Sequence, residues 1–349
     1  MLYVLPLEPM EERYTEQWYR WFKEELEAAG EEFTYIDGEQ LDTGVEVGTV
    51  LDAAGTNYWK MTQLAKVCKL FKERKVKDGD KFFTMDLWHP GLEAIPYMAE
   101  LYGVHVRVFG FLHAGSYYTE DFAEPMAQWA KFFEVGWSRI CEKIFVGSEY
   151  HKKLFMRSRD MEARIVVTGN PFKSSELEPY RIPVGAKKRQ VIFPNRWDKE
   201  KRPAEFVYIA RNMPDVHFVV TTSRRTLTND PKLKWVAEEA RKLPNVTIYE
   251  GISKAQYYRL ASESKVYLST SIDETFGYCL VETLALGCYP VVRRGFSYCE
   301  ILVNDPRFFY GDLKEAIERI YEGLECKETF EQLAAYYDKS IARMIAAMR

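Results

Sequence analysis

Apolar positions along this chain follow two alternating rhythms. The opening run from Leu2 to Leu7 is continuously apolar and gives way to a loop holding Pro9, which predicts a buried strand. Between Tyr14 and Ala29 the large residues Trp18, Trp21, Phe22 and Leu26 recur at helical spacing and Gly30 follows as a stop, so a helix is predicted there. A strand is expected over 32–36, a helix over about 58–75, a strand over 81–85, a helix after Pro90, and strands over 104–109 and 143–146. Past Gly169, Asn170 and Pro171 a polar stretch rich in Ser, Glu and Pro runs to Arg189. The rhythm then restarts with a strand at 190–193, a helix from Pro203, a strand at 216–221, a helix at 231–242, a strand at 246–249, a helix at 254–262 and a strand at 265–268. A helix near 279–286 and a strand at 289–292 follow, and the spacing predicts closing helices over 313–324 and 330–348.

Strand, helix, strand at these intervals implies α/β architecture with parallel sheets and crossover helices. A chain of 349 residues exceeds what a single core usually serves, so two Rossmann-like, doubly wound domains are expected. The boundaries fall at 1–172 for the first domain, 173–189 for a linker and 190–325 for the second domain; residues 326–349 form a C-terminal helix able to pack back on the first.

Composition narrows the class. Apolar residues at 47% and charged residues at 29% are the balance of an ordered globular protein. The six cysteines are scattered without a C-x-x-C pair, which points to reduced thiols and away from zinc or redox motifs. No apolar run reaches the roughly 18 residues of a membrane span. The start lacks the features of a secretory signal, so the expectation is a cytoplasmic protein without integral membrane association. The net charge of −4 argues against indiscriminate polyanion binding. Residues 151–225 nonetheless carry about twice as many Lys and Arg as Asp and Glu, with Lys187, Lys188 and Arg189 and then Arg224 and Arg225 as local runs.

The most informative segment runs from Ser271 to Val292. Glu274 and Glu282 stand with seven residues between them, across a loop and into a helix whose start carries Gly277. A helix amino terminus offers unpaired amides and a favourable dipole to an anion such as a diphosphate, and glycine lets it come close. A carboxylate further into the helix can accept hydrogen bonds from ribose hydroxyls. Upstream, Asn195, Arg196, Lys201 and Arg202 follow the first strand of the second domain, where cations would neutralise charge developing on a leaving group.

This segment resembles the Glu-x7-Glu signature of retaining GT-B glycosyltransferases of the family 4 type, including the Gly287, Pro290, Val291 pattern that follows. The resemblance implies the GT-B fold, two Rossmann-like domains facing a central cleft, with a nucleotide-sugar donor held by the second. It implies that Glu274 contacts the transferred sugar, that the amides around Phe276, Gly277 and Tyr278 serve sugar and phosphate, that Glu282 holds the ribose, and that Arg196 with Lys201 or Arg202 holds the diphosphate. Asn195 and Arg202 stand where glycines are usual in that family. No cofactor is implied beyond the UDP- or GDP-sugar, and a metal is not expected to be required. No carboxylate stands out as a covalent nucleophile, so a front-face mechanism is expected, in which the departing phosphate takes the acceptor's proton.

In the first domain the resemblance gives His113 the role of meeting the donor sugar, with His89 a second candidate. The segments 6–15, 86–91 and 113–117 are similar to compact bacteriophage-type glycosyltransferases, some of which act on hydroxymethylated bases in DNA. Modified DNA is therefore the leading acceptor, with Tyr14, Trp18, Trp88, Tyr117 and Tyr118 as stacking surfaces; a glycan or lipid-linked acceptor is the alternative. An epimerase or phosphorylase on the same fold, or a non-catalytic GT-B module that binds a nucleotide, are the readings from other classes.

Overall fold

The structure is a computed structural model that describes residues 1–10, 13–41, 53–118, 123–160, 164–222 and 230–349. The chain divides into two compact units, Met1–Pro171 with Lys339–Arg349, and Phe172–Asp338.

The first unit is a parallel sheet of β1 (Leu2–Leu5), β2 (Phe33–Tyr35), β3 (Lys81–Thr84), β4 (Arg107–Phe111), β5 (Lys143–Val146) and β6 (Ile165–Val167), in the order β2-β1-β3-β4-β5-β6. The crossovers are α1 (Tyr14–Ala28), α2 (Ala53–Lys72), α3 (Ala94–Tyr102), α4 (Ala127–Ile140) and α5 (Glu149–Arg159). Strand alternation splits the phenylalanines between two helical layers: Phe82 stacks on Phe71 of α2, while Phe83 stacks on Phe22 of α1. A strand buried on both faces therefore reads as a continuous apolar run.

The second unit repeats the plan with β7 (Lys188–Phe193), α6 (Pro203–Arg211), β8 (His217–Thr222), α7 (Pro231–Arg241), β9 (Val246–Glu250), α8 (Lys254–Glu263), β10 (Ser264–Ser269), α9 (Tyr278–Ala285), β11 (Tyr289–Arg293), α10 (Tyr298–Ile301), β12 (Phe309–Tyr310), α11 (Leu313–Glu325) and α12 (Glu331–Ala335). Its parallel sheet runs β12-β11-β10-β7-β8-β9. The order reverses between β7 and β10, so their outgoing loops part company and leave a crevice at their carboxyl ends.

Two expected elements differ. The strand expected at 104–109 is found at 107–111. Gly103, at φ 66°, closes α3 with a left-handed turn in which the Val104 amide bonds back to Ala99, so 104–106 belongs to that turn. The strand instead continues through Gly110, which pairs with Thr84 and whose missing side chain makes room for Leu87. The single helix expected over 330–348 is broken: α12 ends at Ala335, a 3-10 turn spans Tyr336–Lys339, and α13 (Ser340–Met348) follows. Asp338 in that turn accepts from the Ser174 amide and hydroxyl, both at 2.6 Å, and this fastening bends the chain. Within the first unit α13 packs on α1, and Arg343 donates to the Thr168 carbonyl at 2.7 Å.

Candidate functional site

The crevice of the second sheet is walled by the loop after β7 and the loop after β10. Trp197 anchors the first loop by packing on Phe193 and Phe206. Two bonds tie the loops together: the Ile272 amide donates to the Glu200 carbonyl at 2.9 Å, and the Thr270 hydroxyl to the Lys201 carbonyl at 2.6 Å. The contact they frame is that of the Lys201 ammonium with Glu274, 2.7 Å from Nζ to Oε2. Burial alone would lower the pKa of Lys201, but Glu274, with Tyr298 and Glu200 behind it, outweighs burial and raises it, so the lysine stays charged.

The other cations take different places. Arg196 points outward and pairs with Asp198 at 3.1 Å and Glu200 at 3.4 Å. Arg202 has φ 47° and serves as the residue before Pro203, the first residue of α6. The backbone thus uses Arg202 as a left-handed hinge while the neighbouring Lys201 reaches Glu274. Asn195 is buried, and its Nδ2 has no partner among the described residues.

Behind Glu274 the floor is a hydroxyl network. The Ser269 and Tyr298 hydroxyls lie 2.8 Å apart, Ser269 donates to Ser271 at 3.0 Å, and Tyr310 donates to the Ser269 carbonyl at 2.9 Å. Burial, then the nearby Glu274 charge, pushes the Tyr298 phenol up to about 12, so it remains a neutral donor. Gly277 turns the chain into α9 at φ 84° and ψ 61°. A Cβ there would stand 3.0 Å from the Tyr298 ring and 3.3 Å from Glu274 Cγ, so the close packing needs glycine as much as the dihedral does. Phe276 is buried edge-on against Tyr278 and Tyr337, and its carbonyl accepts from Ser297 at 3.1 Å. The amino end of α9 is thereby fixed beside Glu274.

Glu282, one turn into α9, is 4% exposed. Its Oε1 accepts from Lys254 Nζ at 2.5 Å and from the Tyr258 hydroxyl at 3.1 Å, both from α8. The sequence reading did not single out either residue. The one local signal is the Ser253–Gln256 capping box, which marks where α8 begins and so places Lys254 in its first turn.

In the first unit, the loop after β4 carries His113. Its Nε2 donates to the Met85 carbonyl at 2.8 Å, and the ring lies among Trp18, Phe111 and Tyr14. Burial lowers its pKa despite the opposing pull of Asp86, which leaves the ring neutral at pH 7. His89 is buried 3.0 Å from Gln63 Oε1, and burial pushes it down to about 3. Of the two histidines, His113 is the one only partly covered. Lys60 and Gln63 of α2, also missed from sequence, secure the first-sheet loops: Lys60 pairs with Asp86 at 2.6 Å, and Gln63 donates to the Pro6 carbonyl at 2.9 Å.

The aromatic candidates divide. Trp18 and Tyr118 are buried and Tyr117 is bonded to His151 at 2.5 Å, whereas Tyr14 and Trp88 are half-buried. Exposed aromatics include Trp129, Phe132 and Phe133 on α4, Tyr97 on α3, Trp235 on α7 and Tyr336. Glu11, Glu12, Arg224 and Arg225 lie outside the described residues. Among the described residues no three His, Cys, Asp or Glu side chains group as metal ligands, and no helix is long and apolar enough to cross a membrane.

Comparison with known structures finds sucrose-phosphate synthase from Thermosynechococcus elongatus at TM-score 0.68 and 14% identity, covering 99% of this chain and 96% of that one. HepE of Anabaena in complex with UDP-glucose matches at TM-score 0.64 and 13% identity, over 99% of each chain. A glycosyltransferase from Rickettsia africae matches at TM-score 0.63 and 13% identity, over 99% of this chain and 93% of that one. The chain therefore has the two-domain GT-B fold, and its residues 176–339 match the family model of glycosyl transferases group 1.

Proposed function

We propose that this protein is a retaining glycosyltransferase that moves a sugar from a nucleotide diphosphate donor to an acceptor hydroxyl. The observation that carries the reading is the meeting of Lys201 and Glu274 at the switch point of the second sheet, beside the amino end of α9. A cation, a carboxylate and a helix amino terminus at one crevice match the three demands of such a donor: a charged diphosphate, sugar hydroxyls and close backbone approach.

In this reading the diphosphate takes Lys201 from Glu274, and Arg196 leaves Asp198 and Glu200 to complete its shell with the α9 amides. Glu274, released, accepts from a hydroxyl of the transferred sugar. Glu282 holds the ribose. The bond from the anomeric carbon to the phosphate oxygen breaks while the bond to the acceptor oxygen forms on the same face, and the departing phosphate takes the acceptor's proton. Lys201 stabilises the charge that gathers on that phosphate, a contribution made mainly in the transition state. His113 serves as a neutral hydrogen-bonding group to the sugar. HepE, a neighbour of the same fold, is seen with UDP-glucose, which makes a UDP-sugar the first donor to try.

For the acceptor we propose a hydroxymethylated pyrimidine in DNA. The support is exposed aromatic and basic side chains in the first unit: Trp129, Phe132 and Phe133 on α4, Lys131 over the Phe132 ring, and Lys153 and Arg157 on α5.

The test is a screen of UDP-, GDP- and ADP-sugars against hydroxymethylpyrimidine DNA, unmodified DNA and simple glycans or lipid-linked acceptors, with Glu274→Ala in parallel and EDTA in a duplicate set. Transfer to modified DNA that survives EDTA and vanishes in the variant is the expected result. Donor turnover with transfer only to a glycan or lipid would replace the acceptor. Failure to bind any nucleotide sugar would overturn the reading.

A further inference from the structure

Glu282 cannot hold a ribose by burial alone. A carboxylate taken this far out of water needs a counter-charge and fixed donors, or it turns toward whichever group will satisfy it. The structure supplies both from one helix. Lys254 is the first residue of α8 and Tyr258 lies one turn on, so both side chains project from the same face. They converge on a single oxygen, Oε1, at 2.5 and 3.1 Å. Among the described residues no donor is placed on Oε2. Two donors on one oxygen set the rotation of the carboxylate and leave Oε2 as the oxygen for a further donor.

The position of Lys254 argues against a role in helix stability. A cation at a helix amino terminus opposes the dipole, costing rather than adding stability. The start of α8 is already secured by the reciprocal Ser253 and Gln256 capping bonds. The Lys254 ammonium also lies 5.3 Å from the centre of the Tyr258 ring, so the two bracing residues hold each other. Burial would lower its pKa, but the adjacent Glu282 more than offsets this and keeps Lys254 charged.

We infer that Lys254 and Tyr258 are positioning residues that set Glu282 for the ribose hydroxyls of the donor, and so decide how strongly the protein prefers a ribonucleotide to its deoxy analogue. This rests on the donor-site reading above. The two can fail separately.

The experiment measures the Kd of UDP and of 2′,3′-dideoxy-UDP by calorimetry, with the corresponding GDP pair beside them. The ratio of the two is the readout, since general loosening of the unit weakens both ligands alike. Glu282→Gln is expected to bring the ratio close to one. Lys254→Met is expected to cut it about tenfold and Tyr258→Phe by a smaller factor, in proportion to the hydrogen bonds removed. Lys254→Arg, which keeps the charge, should restore most of the preference, and Lys254→Gln, which also removes the charge, stands in for Lys254→Met if that variant fails to fold. A wild-type ratio in both Lys254→Met and Tyr258→Phe, with Glu282→Gln collapsed, would overturn the bracing role and leave the donor site intact. A wild-type ratio in Glu282→Gln would instead show that the ribose lies elsewhere, and absence of nucleotide binding would remove the donor reading itself.

Discussion

Lys201 Nζ and Glu274 Oε2 lie 2.7 Å apart, although 73 positions separate the two residues, because the reversal of strand order between β7 and β10 brings their loops to one crevice. The pair satisfies both charges, and under the proposed function a diphosphate competes for the lysine. Lys201→Met should lower kcat/KM for donor turnover by about 10²–10³-fold, the scale of removing one preorganised transition-state donor. Arg202→Gly should leave turnover within a few-fold of wild type. It should also raise Tm, since φ 47° strains any side chain but suits glycine. Steady-state kinetics on the two variants decide which cation serves the diphosphate, and a loss in Arg202→Gly matching that of Lys201→Met would reassign the role.

Gly277 carries a second requirement of the same crevice. Alanine there would hold a left-handed conformation at a cost of about 1–2 kcal/mol. It would also press Tyr298 and Glu274 from 3.0 and 3.3 Å. Gly277→Ala should therefore lose more activity than its fall in Tm accounts for. Donor turnover compared with Tm on one preparation checks this, and a stable, fully active variant would show that α9 tolerates the shift.

The acid limb of stability should belong to the first unit. His89 and His151 are both buried neutral and pushed down to about 3, in each case chiefly by burial. An unfolded histidine takes a proton near pH 6.5, so between about 6.5 and 3 the unfolded chain binds protons that the folded one refuses. Stability contributed by these rings is complete above pH 6.5 and falls as pH drops through that window. Chemical denaturation at pH 7, 5.5 and 4.5 should show a steady decline, with a shallower slope in His89→Gln. An unchanged slope would mean that another group carries the acid response.

How much of this was legible in the sequence depended on how each residue's role is distributed along the chain. The grouping of Glu274, Gly277 and Glu282 was readable because they sit within one loop and helix, so spacing carries the geometry. Lys254 was not, because it meets Glu282 only through the fold, 28 positions away. The buried strands were readable as apolar runs. The helices α4 and α5 were passed over for opposite reasons. On α4 large aromatics occupy both faces, Trp137 inward and Trp129, Phe132 and Phe133 outward, which blurs the helical period. On α5 the buried face includes His151, a polar residue that no hydrophobic pattern counts.

The loop that carries His113 depends on a buried charge. Glu134 is almost wholly buried; its carboxylate lies 2.5 Å from Arg159, and it accepts from the Ser116 amide at 2.6 Å and the Ser116 hydroxyl at 3.0 Å. Arg159 also donates to the Ser116 hydroxyl at 2.7 Å, so three side chains close around one turn of backbone. Gly115 fits against them because a Cβ would stand 2.4 Å from the Tyr117 ring and 2.7 Å from Glu134. Arg159→Met strands the Glu134 charge and should cost about 3–5 kcal/mol, the range for breaking a buried pair from one side. Adding Glu134→Gln removes that charge while its amide oxygen still accepts from Ser116. The double variant should therefore be more stable than Arg159→Met alone, a coupling that a double-mutant cycle measures directly. Hydrogen exchange at the Ser116 amide localises the effect: protection should collapse in Arg159→Met and return in the double variant. Protection that stayed low in both would mean that the turn is held by the arginine itself and not by relief of a stranded carboxylate.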